Sequence, residues 1–321
     1  MSALERLNIV QKARGAAEAT SSSSQQQTRD AFGFKWAQRK TYESKAVKDA
    51  ARNWLFERYC GNDPQLLAQW LAGGRKIILD AGCGSGFSAL LFFDDYLKDH
   101  DYLGVDISSA VEIAAKRFHE QGCPADFLQG NIMELPISEE SVDIIFSEGV
   151  LHHTDSTERA LKSLALKLKP GGRFLFYVYA KKAVIREFTD DYIRDKLKGM
   201  SDGEAWRALE PLTKLGIELG NKACIIDVPE DIDFLGIKKG RIDLQRFFYW
   251  HICKLYYRTD WTLDEMNHIN FDWFRPANCL RQTPEEVTAW VNEAELTIER
   301  IDIQEAGITV VAKKNIYNEN N

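Results

Sequence analysis

At 321 residues with 45% hydrophobic side chains, the chain can form one large domain, or a domain with a sizeable insertion, around a full core. Its 41 basic and 48 acidic residues leave a formal charge of −7, which excludes a global field drawing it to phosphate backbones. No apolar run approaches the roughly 20 residues that span a bilayer, the first residues lack a secretory apolar core, and the cysteines show no CxxC spacing, so a cytoplasmic protein with free thiols and no membrane contact is expected.

In chain order, residues 1–31 are expected to be a flexible tail, because "TSSSSQQQ" has nothing to bury. "FGFKW" (32–36) then opens an N-terminal helical lid over 32–74. Within it, 41–60 and 65–72 read as helices, with Trp54, Leu55, Tyr59, Leu66, Leu67 and Trp70 at helical spacing. From residue 75 the pattern changes. "KIILD", "YLGVDIS", "ADFLQGN", "VDIIFSEG" and "RFLFYVY" are strands, with "FSALLFFDDYL", "SAVEIAAKRFHEQG" and "TERALKSLALKL" as helices between them. Such alternation predicts a parallel sheet covered on both faces.

After Tyr179 the alternation stops. Residues 181–281 read as an insertion of helices and loops, dense in aromatics such as "RFFYWHICKLYYRTDW". "TPEEVTAWVNEAEL" resumes with Thr283 as N-cap, Pro284 in the first turn and Glu286 closing a capping box. "TIERIDI" and "GITVVAKK" are strands joined by "QEAG", too short for a crossover, so this pair must be antiparallel. The fold class is therefore α/β: a doubly wound, mostly parallel seven-stranded sheet over 75–180 and 282–315, ending in an antiparallel pair and interrupted by the helical insertion.

The loop after the first strand carries the chemistry. "DAGCGSG" sets Asp80 before three glycines in GxGxG spacing, and Asp106 ends the next strand twenty residues past Gly86. Glycines let the backbone turn sharply beside a ligand at the strand's carboxyl end. A nicotinamide dinucleotide usually shows GxGxxG; a carboxylate at Asp80 suits an ammonium-bearing ligand better than a pyrophosphate. On the glycines alone both cofactor classes, and a purely structural turn, remain open.

Together "ILDAGCGSG", "LGVDIS", "GNIMELP", "VDIIFSEGVLHHT" and "LKPGGRFLFYVY" resemble the class I S-adenosylmethionine-dependent methyltransferases in order and spacing. The resemblance covers roughly 75–180 and 282–314. It implies S-adenosyl-L-methionine as cofactor, with Asp80, Ala81, Gly82, Gly84 and Gly86 holding its amino-acid end and Asp106 its ribose diol. Ile107 would pack on the adenine, and Asn131 and Ile132 would sit at the adenine edge, where many relatives carry Asp. Ser147, Glu148 and Gly149 would line the methionine portion, and Phe34 or Trp36 would cover the cofactor. "YIRDK" also shows the Tyr-x-x-x-Lys spacing of short-chain dehydrogenases, but at a different place relative to the glycines.

Methyl transfer from a sulfonium is an in-line displacement in which alignment does most of the work. His152, His153 and His251 are the candidates for a base, should the acceptor need one. No catalytic metal is expected; Asp260, Asp264, Glu265 and His268 read equally well as a solvated helix start. The expected acceptor is a small or medium-sized metabolite selected by the insertion, with no nucleic-acid partner and with a homodimer compatible. The alternatives are an RNA or protein methyltransferase, or a non-catalytic binder of the cofactor.

Overall fold

The computed structural model describes Leu7 and residues 21–316. Residues 1–6 and 8–20 of the expected flexible tail lie outside the described residues. The chain divides into two compact units, one of residues up to 37, 49–180 and from 278 onward, the other of 38–48 and 181–277.

The serine- and glutamine-rich stretch expected to be loose is instead a helix from Ser23, α1 (Ser23–Ala37). Its buried positions are Gln25, Thr28, Ala31 and Lys35, spaced by three and four, but mostly polar. Gln25 Nε2 donates to the His153 carbonyl at 3.2 Å, and the Asn278 backbone N–H donates to Thr28 Oγ1 at 3.0 Å. A helix that buries polar groups against partners has no hydrophobic period for a sequence pattern to find. "FGFKW" lies at the end of this helix.

Helices α2 (Lys45–Cys60) and α3 (Pro64–Leu71) follow, the latter started by Asp63, which accepts the Gln65 N–H at 2.9 Å, and by Pro64 in its first turn. Then β1 (Ile77–Ala81), α4 (Phe87–Phe92), β2 (Asp101–Asp106), α5 (Ala110–Glu120), β3 (Asp126–Gln129), β4 (Val142–Glu148), α6 (Thr157–Ala165) and β5 (Leu168–Tyr179) alternate as expected.

The chain next enters the second unit. Its helices are α7 (Val184–Leu197) and α8 (Asp202–Asn221), followed by a short hairpin of β6 (Ile225–Val228) and β7 (Gly240–Asp243), then α9 (Leu244–His251) and α10 (Leu263–Phe274). The hairpin corrects the expectation of helices and loops alone: Ile225 pairs with Asp243 and Val228 with Gly240. Its strands are four residues each, with Val228 alone buried among them, so they lack the alternating apolar signature of a buried strand. Residues 38–48 also belong here rather than to a lid, with Thr41 Oγ1 2.7 Å from His268 Nδ1.

The first unit resumes at Asn278, slightly before the expected boundary, with α11 (Pro284–Glu293), β8 (Leu296–Ile303) and β9 (Gly307–Lys314). The capping box at Thr283 forms, Thr283 Oγ1 accepting the Glu286 N–H at 3.2 Å and Glu286 the Thr283 N–H at 2.8 Å.

The sheet has seven strands in the order β3-β2-β1-β4-β5-β9-β8, with β9 antiparallel to both β5 and β8 and the rest parallel. β1 is buried throughout, so its alternating side chains serve two cores. Leu79 and Ala81 pack with Leu161, Leu164, Val287 and Val291 of α6 and α11. Ile78 packs on the other face with Leu55, Tyr59, Leu67 and Trp70 of α2 and α3. Strand order reverses between β1 and β4, and in such sheets ligands bind beyond the carboxyl ends at that reversal.

Candidate active site

Two carboxylates close the central strands. Asp80, at the end of β1, is 3% exposed and accepts a 2.5 Å hydrogen bond from the Tyr102 hydroxyl. Burial raises its pKa to about 7, with the charges of Asp106 and Glu148 adding to the rise and the Tyr102 bond opposing it. A cation placed beside it would restore the ionised form.

Between the strands runs the glycine turn, with positive φ at Gly82, Gly84 and Gly86. A Cβ on Gly82 would collide with the Val150 side chain, and one on Gly84 would lie 2.5 Å from Trp36 Nε1. The indole of α1 therefore lies directly on the turn. Beneath it, Lys35 Nζ stands 4.0 Å from the Trp36 ring centroid, and its charge favours the ionised form of Asp106.

Asp106 ends β2 and is 7% exposed. Its Oδ1 accepts the Ser108 N–H at 2.8 Å and the Ser108 hydroxyl at 2.7 Å, and its Oδ2 accepts the Gly84 N–H at 2.9 Å. These bonds hold the carboxylate against the turn, while burial pushes its pKa above the ordinary range. A carboxylate offers about four lone-pair sites, so Oδ2 keeps one for a hydroxyl. Half-buried Ile107, the next residue, lines a cavity of about 480 Å³ whose wall includes Val111, Leu128, Gln129, Gly130 and Arg29.

The end of β4 holds a network that the sequence reading did not anticipate. Glu148 Oε1 pairs with Arg58 Nη2 at 2.5 Å and its Oε2 accepts the Tyr59 hydroxyl at 2.6 Å. Arg58 is 1% exposed and lies between Trp54 and Tyr177, its Cζ 3.6 Å and 4.2 Å from their ring centroids. Its Nη1 is buried with no hydrogen-bond partner among the described residues. One arginine on a charged helix gives no sequence signal, because only the fold brings it to a strand end ninety residues away.

The region matches a known family. Residues 79–176 fit the sequence profile of a methyltransferase domain. These residues form a methyltransferase domain. Among relatives of this domain, a putative methyltransferase of Encephalitozoon cuniculi is 34% identical over 111 residues, 34% of this chain and 47% of that protein. Human probable tRNA methyltransferase 9B is 35% identical over 116 residues, 35% of this chain and 23% of that one. The arsenite methyltransferase of Halobacterium salinarum is 34% identical over 119 residues, 36% of this chain and 29% of that protein. The chain thus spans less than half the length of each.

The other expected residues of the methyltransferase domain fall in three groups. Gly149, with φ of 72°, borders open space at the end of β4, since a Cβ there would meet nothing within 4 Å. Asn131 and Ser147 spend part of their polar capacity inside the fold: Asn131 Oδ1 caps the turn at Ile132–Glu134 by accepting the Met133 N–H at 3.0 Å, and Ser147 Oγ donates to the Ala81 carbonyl at 2.8 Å. Ile132 is 5% exposed, in the core beside Leu135 and Ile137.

Of the three candidate bases, His152 and His153 are buried and His251 is half-buried. His152 is fully buried, its ring centroid 3.8 Å from that of Tyr179 and 4.2 Å from that of His153. His153 Nδ1 is 2.6 Å from the Asn278 carbonyl oxygen, and the Leu280 N–H donates to the His152 carbonyl at 2.8 Å. This pair braces the loop against residues 278–280. His251 ends α9 in the second unit with its ring 5.3 Å from Phe247. Among the described residues, no three His, Cys, Asp or Glu side chains group to hold a metal.

Proposed function

We propose that the protein is an S-adenosylmethionine-dependent methyltransferase acting on a small or medium-sized acceptor. The carrying observation is the pairing of two buried carboxylates, Asp80 and Asp106, on either side of the glycine turn at adjacent strand ends. Bound there, the cofactor supplies an activated methyl group on a sulfonium that leaves as a neutral thioether.

The chain's own residues bind and orient. Asp106 Oδ2 takes a ribose hydroxyl with its remaining lone pair, and Ile107 offers an apolar face at the cavity for the adenine. Asp80, Glu148 and Arg58 set two carboxylates and a guanidinium near the ends of β1 and β4, a complement to the zwitterionic end of an amino acid. Trp36 covers the turn and excludes water from it. A ligand with a pyrophosphate would meet the Asp106 carboxylate and, where it is ionised, that of Asp80.

Transfer then rests on alignment. Proximity and orientation can supply about 7–11 kcal/mol of such a barrier, and the buried His152 and His153 are assigned to the scaffold rather than to proton transfer. The acceptor is assigned to residues 181–277, because this segment lies outside the matched domain and carries ten of the aromatics noted in its sequence, from Phe247 to Phe274. The formal charge of −7 favours a small acceptor over a nucleic acid. The relatives include both a probable tRNA methyltransferase and an arsenite methyltransferase, so the shared domain does not choose between the classes.

The test is transfer of label from a methyl-labelled cofactor into a fractionated cell extract. Label in low-mass metabolites is the expected result. Label confined to RNA or protein overturns the small-acceptor reading, and no turnover at all supports a non-catalytic binder.

A further inference from the structure

Helix α7 reverses the usual arrangement of a surface helix. Its buried positions are Arg186, Asp190 and Leu197, and the first two form an ion pair at 2.5 Å. Its exposed positions include Val184, Phe188 and Tyr192, one turn apart along a single stripe about 12 Å long. Phe188 is 74% exposed. A helix on a protein surface ordinarily turns such side chains inward and its charges outward, so an apolar stripe left outside marks a contact surface.

A further exposed aromatic lies nearby. A Cβ on Gly236 would lie 3.7 Å from the Ala183 Cβ, so the turn at Asp233–Leu235 sits beside the start of α7, and it carries Phe234, 82% exposed. The charges around this patch are matched in sign. Lys238 pairs with Asp231 at 2.9 Å and with Asp233 at 3.0 Å, Arg194 with Asp191 at 2.7 Å, and Lys198 with Asp195 at 2.5 Å. Balanced charge gives little hold to a nucleic-acid backbone or an anionic lipid surface. The order of charge along the stripe is instead complementary to itself. Exposed Lys181 lies seven residues before Phe188, and exposed Asp195 seven residues after it.

We propose that this face of α7 is the contact surface of a homodimer, in which the α7 helices of two copies pack antiparallel about a two-fold axis at Phe188. Phe188 then meets the partner's Phe188, Val184 the partner's Tyr192, and Lys181 the partner's Asp195, the last two contacts each occurring twice. An exposed pair such as Asp195 with Lys198 is weak, so Asp195 turns to Lys181 at small cost. Removing Val184, Phe188, Tyr192 and Phe234 from water takes about 500 Å² from each copy, about 1,000 Å² in all, which reaches the size a specific interface needs. A partner of different sequence would need its own matching order of charge, whereas a second copy supplies it. The inference stands whether or not the chain transfers methyl groups.

The experiment measures the mass of the full chain in solution, by sedimentation and light scattering over a range of concentrations. A reversible dimer is expected. Phe188→Asp, which sets two carboxylates on the axis, should weaken it by about tenfold or more while circular dichroism stays unchanged. Lys181→Glu and Asp195→Lys should each weaken it by about fivefold, and the two together should recover it, because antiparallel pairing then restores both opposite-charge contacts. Ile303→Asp, at an exposed position of β8, should leave it unchanged. A monomer at every concentration overturns the proposal, and one that binds vesicles of phosphatidylcholine and phosphatidylserine assigns the face to a lipid surface instead. A dimer indifferent to Phe188→Asp, a dimer lost with Ile303→Asp, or no recovery in the combined charge variant overturns it as well.

Discussion

Asp80 titrates in the wrong place for an ordinary carboxyl, and the consequence can be measured. Its folded pKa of about 7 lies above the roughly 4 of an unfolded aspartate. Between those values the folded chain holds the proton more tightly, so the Asp80 contribution to stability is full below about pH 4 and falls as pH rises toward 7. Asp80→Asn should flatten that part of the stability-versus-pH curve; equal slopes for variant and wild type would remove the effect. Asp106 makes a different prediction. Asp106→Ala should weaken cofactor binding by roughly 1.5–3 kcal/mol, the scale of a hydrogen bond to a charged group, read by calorimetry on folded protein. Both carboxylates were legible in the sequence because an apolar strand that stops at an acid beside glycines fixes where the acid lies. Arg58 was not, since its meaning depends on Glu148, which only the packing of α2 against β4 brings within 2.5 Å.

Among the elements, α1 and α2 carry the interactions that composition conceals. Removing the α1 contacts with Gln25→Ala/Thr28→Val should leave the His153 carbonyl and the Asn278 N–H short of partners. Each such group costs about 1–3 kcal/mol, so denaturant unfolding should shift to clearly lower midpoints. Unchanged midpoints would mean that α1 is not part of the stable fold. In α2, Arg58→Met leaves Glu148 buried beside Tyr59 without its cation, which should cost about 3–5 kcal/mol. Adding Glu148→Gln to that variant should recover part of the loss; no recovery would place the cost in the packing between Trp54 and Tyr177 instead. Strong apolar periods exposed the strands and the helices that pack on them. Polar burial in α1 and the four-residue strands of the β6–β7 hairpin left no such period to read.

At the scale of the whole molecule, the first unit's doubly wound sheet followed from the alternation of strands and helices, and the antiparallel end from a linker too short to cross over. The second unit was visible as a break in that alternation, but its internal arrangement was not, because contacts such as Asp190 with Trp273 join residues more than eighty positions apart. The carboxyl ends of β1 and β2 are proposed to bind a sulfonium nucleoside rather than a dinucleotide. The most direct measurement is calorimetric titration of the full chain with S-adenosylmethionine, S-adenosylhomocysteine and NADH in parallel. Saturable one-to-one binding of the first two, weakened by Asp106→Ala, is expected, with none of comparable strength for NADH. Tight NADH binding with no response to S-adenosylmethionine would contradict it.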